Sequence, residues 1–151
     1  MMPKLRTIGD IEEVLAPPFT LPSAHEGTPV ALHTFRHRQP VGLVFVPSLA
    51  DPSPLIGSLT KILPDFIRAG IALLVIMREP IPVNTSHPVV LVDTDGNTFR
   101  RYECPERSIC LFAIDRYGAI VWRSTCAPAA LEAALQRLKE ALEFSEIQCP
   151  E

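Results

Sequence analysis

No cysteine precedes residue 104, and no two of the 4 cysteines (Cys104, Cys110, Cys126 and Cys149) stand in a Cys-x-x-Cys spacing. That removes the usual signature of a zinc site and of a closely spaced redox dithiol, and leaves free thiols as the expected state in a reducing compartment. Long hydrophobic runs are missing too. The longest, Val41 to Pro47 and Ile71 to Met77, fall far short of the roughly 20 residues a spanning helix needs, so no membrane partner is expected. Charge of one sign is also lacking: 14 basic residues face 17 acidic ones, for a net charge of −3, which gives nucleic acid no electrostatic footprint. The N-terminus runs from Met1-Met2-Pro3-Lys4 into Gly9-Asp10 and Glu12-Glu13 rather than into an apolar signal segment, and a cytoplasmic location is expected. What the chain does have is a hydrophobic fraction of 47% over 151 residues, enough for a core, and no internal period. One domain over residues 1–151, with an extended N-terminal segment at 1–22, is the resulting expectation.

Proline is plentiful, 16 in all, and punctuates the chain. Ala16 to Pro22 carries three prolines and must run extended, with Phe19 and Leu21 spaced two apart so that both point at the core. Val30-Ala31-Leu32 reads as a short strand. Val41 to Val46 is apolar on both faces and proline-bounded, which suits a central strand covered on two sides. Leu55, Ile56, Leu59, Ile62, Leu63, Phe66 and Ile67 then recur at helical spacing, with Pro64 either kinking the helix or starting a second one, and Gly70 as a C-terminal stop. Ala72 to Met77 is a second buried strand, so strand, helix and strand form a parallel βαβ unit. After a strand-like run at Val89 to Asp93, a turn at Asp95-Gly96 and an arm at Thr98 to Tyr102, Ile109 to Asp115 and Ala119 to Trp122 form a hairpin. A last amphipathic helix covers about Pro128 to Phe144. The sum is an α/β chain with a central mixed sheet, βαβ then ββα, and helices on both faces: a thioredoxin-like fold.

Several residues have the chemistry for a site. Cys104 and Cys110 are the close cysteine pair, read either as a redox pair before the final hairpin or as an incidental loop thiol and a buried strand residue. The second reading is preferred because only Arg101 and Arg107 stand near as activating cations. His33 and His37 have a helical zinc spacing but fall in a loop among Arg36, Arg38 and Pro40. His25 and His87 add no motif. Asp93 to Asn97 resembles part of a calcium loop, yet Cys104 occupies the position of the closing glutamate, and a β-turn suffices. No metal and no cofactor are expected.

Ala16-Pro17-Pro18-Phe19-Thr20-Leu21-Pro22, Gly27-x-Pro29-Val30-x-Leu32-x-x-Phe35-Arg36, Pro40-Val41-x-Leu43-Val44-Phe45-x-Pro47 and Phe112-Ala113-Ile114-Asp115 together resemble the AhpC/TSA peroxiredoxins and related redoxins across nearly the whole chain. The resemblance implies a peroxide-reducing cysteine in the first turn of the helix after the first central strand, in a Pro-x-x-x-Thr-x-x-Cys motif, with an arginine that stabilises the thiolate. Here Pro47 matches, Asp51 takes the threonine position and Pro54 the cysteine position. Ile109 stands at the arginine position, leaving Arg107 and Arg123 as candidates. The expected function is therefore a divergent redoxin without the family's peroxidase activity, acting as a binding or interaction module. The alternative is a thiol-dependent oxidoreductase or peroxide reductase using Cys104 and Cys110. The expected partners are a second copy of the chain, as the family commonly dimerises, and a protein or small-molecule ligand in the degenerate groove.

Overall fold

The computed structural model describes residues 4–8, 11–24, 26–48, 53–79 and 89–148. Its centre is a five-stranded sheet of β5 (Val41–Val46), β6 (Ala72–Met77), β7 (Val89–Val92), β8 (Ile109–Ile114) and β9 (Ile120–Cys126), in the order β7-β6-β5-β8-β9. β5 pairs parallel with β6 and antiparallel with β8, and β7 continues the parallel half beside β6. The mixed sheet expected from the sequence is therefore present. Every residue of β5 and of β8 is buried, as strands covered on both faces require.

The two faces are covered differently. Val44, Val46, Leu73, Val75, Leu111 and Ala113 face α1 (Ser53–Arg68) and α3 (Leu131–Gln148), which contribute Leu55, Leu59, Phe66, Leu131, Leu135, Leu138 and Leu142. β5 and α3 come so close here that a Cβ on Gly42 would meet Leu138 Cδ2 at 3.1 Å and Phe66 Cε2 at 3.3 Å. The alternate residues, Val41, Leu43, Phe45, Leu74, Ile76, Cys110, Phe112 and Ile114, face Phe19, Leu21, Leu32 and Tyr102. Phe19 and Leu21 thus reach the core as their spacing predicts. On this side Phe45, Tyr102 and Phe112 stack into one aromatic cluster, with ring centroids 4.9–5.6 Å apart.

Several boundaries differ from the sequence reading. The N-terminal segment doubles back on itself: β1 (Lys4–Ile8) and β2 (Ile11–Val14) pair antiparallel. A second hairpin pairs β3 (Thr20–Pro22) with β4 (Pro29–Ala31), and Leu32 belongs to a 3-10 turn rather than to the strand. Pro64 neither breaks α1 nor opens a new helix, because the helix runs unbroken from Ser53 to Arg68. Gly70, at φ +73°, ends it as expected. The supposed arm at Thr98 to Tyr102 is a short helix, α2 (Asn97–Arg101). Two carboxylates make it: Asp93 Oδ2 accepts from Phe99 N (3.0 Å) and Asp95 Oδ1 from Asn97 N (3.0 Å), satisfying amide groups that a helix start leaves free.

Candidate functional site

β8 runs antiparallel to β5 with Cys110 opposite Phe45, so Cys110 sits at the C-terminal end of β5. Pro47 follows that end directly, and α1 starts just beyond it with Pro54 as its second residue. Asp51 lies outside the described residues. The position implied for a catalytic cysteine is thus a proline in a helical first turn, where its missing N–H costs nothing. The same end of the sheet nevertheless holds a thiol, supplied by β8 instead of α1.

Cys104 meets it. α2 ends in a turn in which Tyr102 N donates to Thr98 O and Cys104 N to Phe99 O, both at 3.0–3.1 Å. That turn folds Cys104 back over the sheet, where it is half-buried and packs against the cluster that holds Cys110. The six-residue separation closes through α2, so that Cys104 packs against the same buried cluster that holds Cys110. Their acidities separate as a consequence. The hydrogen bond from Cys104 holds the Cys110 thiol below its ordinary value, with Arg123 adding to the effect and burial opposing it. Cys104 is pushed far up, first because its proton is engaged by Cys110, then by burial and by the charge on Cys110; Arg123 opposes the rise. Deprotonation leaves a pair that shares one proton, with the charge resting on Cys110.

The cation beside this pair is Arg123. β9 places it opposite Phe112, two residues from the Cys110–Thr125 pair and on the same face, with its guanidinium carbon 5.1 Å from the Phe112 ring centroid. Arg107 is exposed in the loop before β8, and Arg101 points elsewhere, its Nη1 donating to Pro18 O at 2.8 Å. Of the two arginine candidates, the structure brings Arg123 to the thiols. Cys126 stays apart, packed against the helix-covered face with its thiol pushed up by burial, while Cys149, His25 and His87 lie outside the described residues. His33 and His37 occupy the turn region before β5.

Sequence reasoning missed a cavity. At the opposite end of the sheet, beside Val41 and Ile114, a cavity of about 620 Å³ opens between the 3-10 turn at Leu32–Phe35 and the Pro17-Pro18 segment. Its only sequence signal was the proline-rich stretch that walls it.

A five-stranded mixed sheet in the order β7-β6-β5-β8-β9, with its βαβ and ββα halves and the covering helices, defines a thioredoxin-like fold. The chain is similar in structure to the mitochondrial 2-Cys peroxiredoxin of Plasmodium falciparum, with a TM-score of 0.70 and 18% identity over 90% of this chain and 98% of that one. It is likewise similar to a putative thiol:disulfide interchange protein DsbE from Chlorobium tepidum (TM-score 0.64, 23% identity, 84% and 94% covered). A peroxidoxin from Mycobacterium tuberculosis aligns with a TM-score of 0.65 at 17% identity, over 84% of this chain and 94% of its own. No protein-family model and no curated protein matches the chain.

Proposed function

We propose that this protein is a redoxin whose redox element is the Cys104–Cys110 pair, a thiol–disulfide oxidoreductase that lacks the peroxidatic position on α1. The observation that carries this reading is the packing of Cys104 against the buried cluster that holds Cys110, with Arg123 on the neighbouring strand, at the C-terminal end of β5. Cys104 is the more exposed residue and Cys110 carries the more acidic thiol. When a disulfide is offered, transfer of the shared proton from Cys104 to Cys110 puts the charge on the accessible sulfur. That thiolate attacks one sulfur of the substrate disulfide, breaking its S–S bond and releasing a substrate thiolate. Cys110 then loses its proton to that departing thiolate and attacks Cys104. A Cys104–Cys110 disulfide forms, the mixed disulfide breaks, and the second substrate thiolate leaves and takes a proton from water. Two electrons pass from the protein to the substrate.

A reducing, cytoplasmic compartment would return the pair to the dithiol, and no helix among the described residues is long and apolar enough to cross a membrane. A homodimer is part of the proposal: β9 is an edge strand with Val121 exposed. Self-association has a parallel in one structural neighbour, Plasmodium yoelii Prx1a, which forms an artifactual octamer when modified at its N-terminus. The second reading, a binding or interaction module with no thiol turnover, rests on Pro54 in the first turn of α1. Reduction of insulin disulfides by the protein, recycled with dithiothreitol, separates the two. Turnover lost in both Cys104→Ser and Cys110→Ser supports the redox reading, and a rate no higher than that of the variant lacking all four cysteines leaves the binding module.

A further inference from the structure

We infer that the cavity at the N-terminal end of β5 is a binding site for an amphipathic monocarboxylate, of the class of a medium-chain fatty acid anion. It lies at the opposite end of the sheet from the cysteine pair and does not depend on the redox reading. Its volume, about 620 Å³, falls in the range of small-molecule sites, about 300–1,000 Å³. The floor is aliphatic: Leu32, Val41 and Ile114 are all buried core residues that also line the cavity.

One wall is held rigidly. Tyr102 Oη donates to Pro17 O at 2.6 Å and Arg101 Nη1 to Pro18 O at 2.8 Å, fixing the proline segment against the sheet. A site whose shape is set beforehand loses little entropy on binding.

The polar groups around this floor carry an unbalanced charge. Arg36 and Arg101 both line the cavity. Asp115 is the carboxylate among the lining residues, and its Oδ1 is already committed to its own turn, accepting from Tyr117 N (2.9 Å) and Ala119 N (3.0 Å). Gln39 is spent on Gly70 O at 3.2 Å. Arg36 has no ion pair among the described residues, and its side chain lies along Gly118, with Nε 3.5 Å from where a Cβ there would stand. Two guanidinium groups beside an aliphatic floor complement a ligand with one planar anionic head and an apolar body. The fork of an arginine matches a carboxylate, and the floor takes the alkyl chain.

The test uses the full-length reduced protein with octanoate, octanol and octyltrimethylammonium as probes, followed by calorimetry and by amide chemical shifts. Octanoate is expected to bind one to one, with shifts concentrated on residues 15–18, 32–41 and 114–118. Octanol should bind at least about tenfold more weakly and the cation weaker still. Arg36→Gln should weaken octanoate by about tenfold while leaving octanol unchanged. This variant breaks no side-chain hydrogen bond among the described residues, whereas Arg101→Gln also loosens the proline wall. No binding of octanoate, equal affinity for octanol, shifts scattered over the surface, or octanoate binding unaltered in Arg36→Gln would each overturn the proposal.

Discussion

Replacing Tyr102 by Phe isolates a single atom on which the proline segment depends. The Tyr102 ring is fully buried among Phe45, Phe112 and Phe19, at centroid distances of 4.9, 5.1 and 6.2 Å, and phenylalanine keeps those contacts. What is lost is the 2.6 Å hydrogen bond to Pro17 O, which leaves a carbonyl of a buried residue without its donor. A net hydrogen bond contributes about 1 kcal/mol, and an orphaned buried acceptor costs about 1–3 kcal/mol, so a loss near 2 kcal/mol is expected. For a chain of this size that is about 4–8 °C in Tm. Urea unfolding should show a lower midpoint at unchanged slope, and limited proteolysis should cut the segment around residues 15–22 sooner. The pH dependence has a definite sign. Burial holds the Tyr102 proton well above the ordinary range, so above about pH 10 the unfolded chain ionises and the folded one does not. Stability from this group is present below that pH and lost above it, and the gap between wild type and Tyr102→Phe should narrow there. A stability change under about 0.5 kcal/mol would mean that the hydroxyl does not pin the segment, and the rigid wall of the cavity would go with it.

Two further outcomes follow from the packing and the thiols. Gly42→Ala should destabilise the fold by about 1–3 kcal/mol, since the added methyl meets Leu138 and Phe66 inside ordinary contact distance; an unchanged urea midpoint would show that α3 can move aside. Cys104→Ala should raise the pKa of Cys110 by removing the donor that favours its thiolate, read as the thiolate absorbance that disappears when Cys110 is also replaced. An unmoved titration would show that Arg123 alone sets the acidity.

The sheet was legible because β5, β6 and β8 are runs of five or six apolar residues, long enough for their burial on two faces to be read directly. α2 was not. Five residues, Asn97 to Arg101, are too few for a helical period, and the helix is made by side chains of Asp93 and Asp95 that in the sequence signal only a turn. The meeting of Cys104 with Cys110 depends on that helix, so a separation that looked uninformative became a contact only in three dimensions. Arg123 stood in the sequence only as one of two arginine candidates, and the choice between them needed the structure. Its place opposite Phe112 depends on the register of the β8–β9 hairpin, which shifts between Ala113 and Ile114, a bulge that no residue pattern marks. Pro54, by contrast, was legible from the sequence alone.

Whether Cys104 and Cys110 act as one redox couple can be read directly. The full-length protein is equilibrated in glutathione buffers of graded potential, then acid-quenched, alkylated and weighed by mass spectrometry. A single two-electron transition is expected, in which both thiols are lost together as a Cys104–Cys110 crosslink. Cys126 should remain alkylatable throughout. Both thiols free at the most oxidising poise, or glutathione adducts on each separately without the crosslink, would contradict the couple.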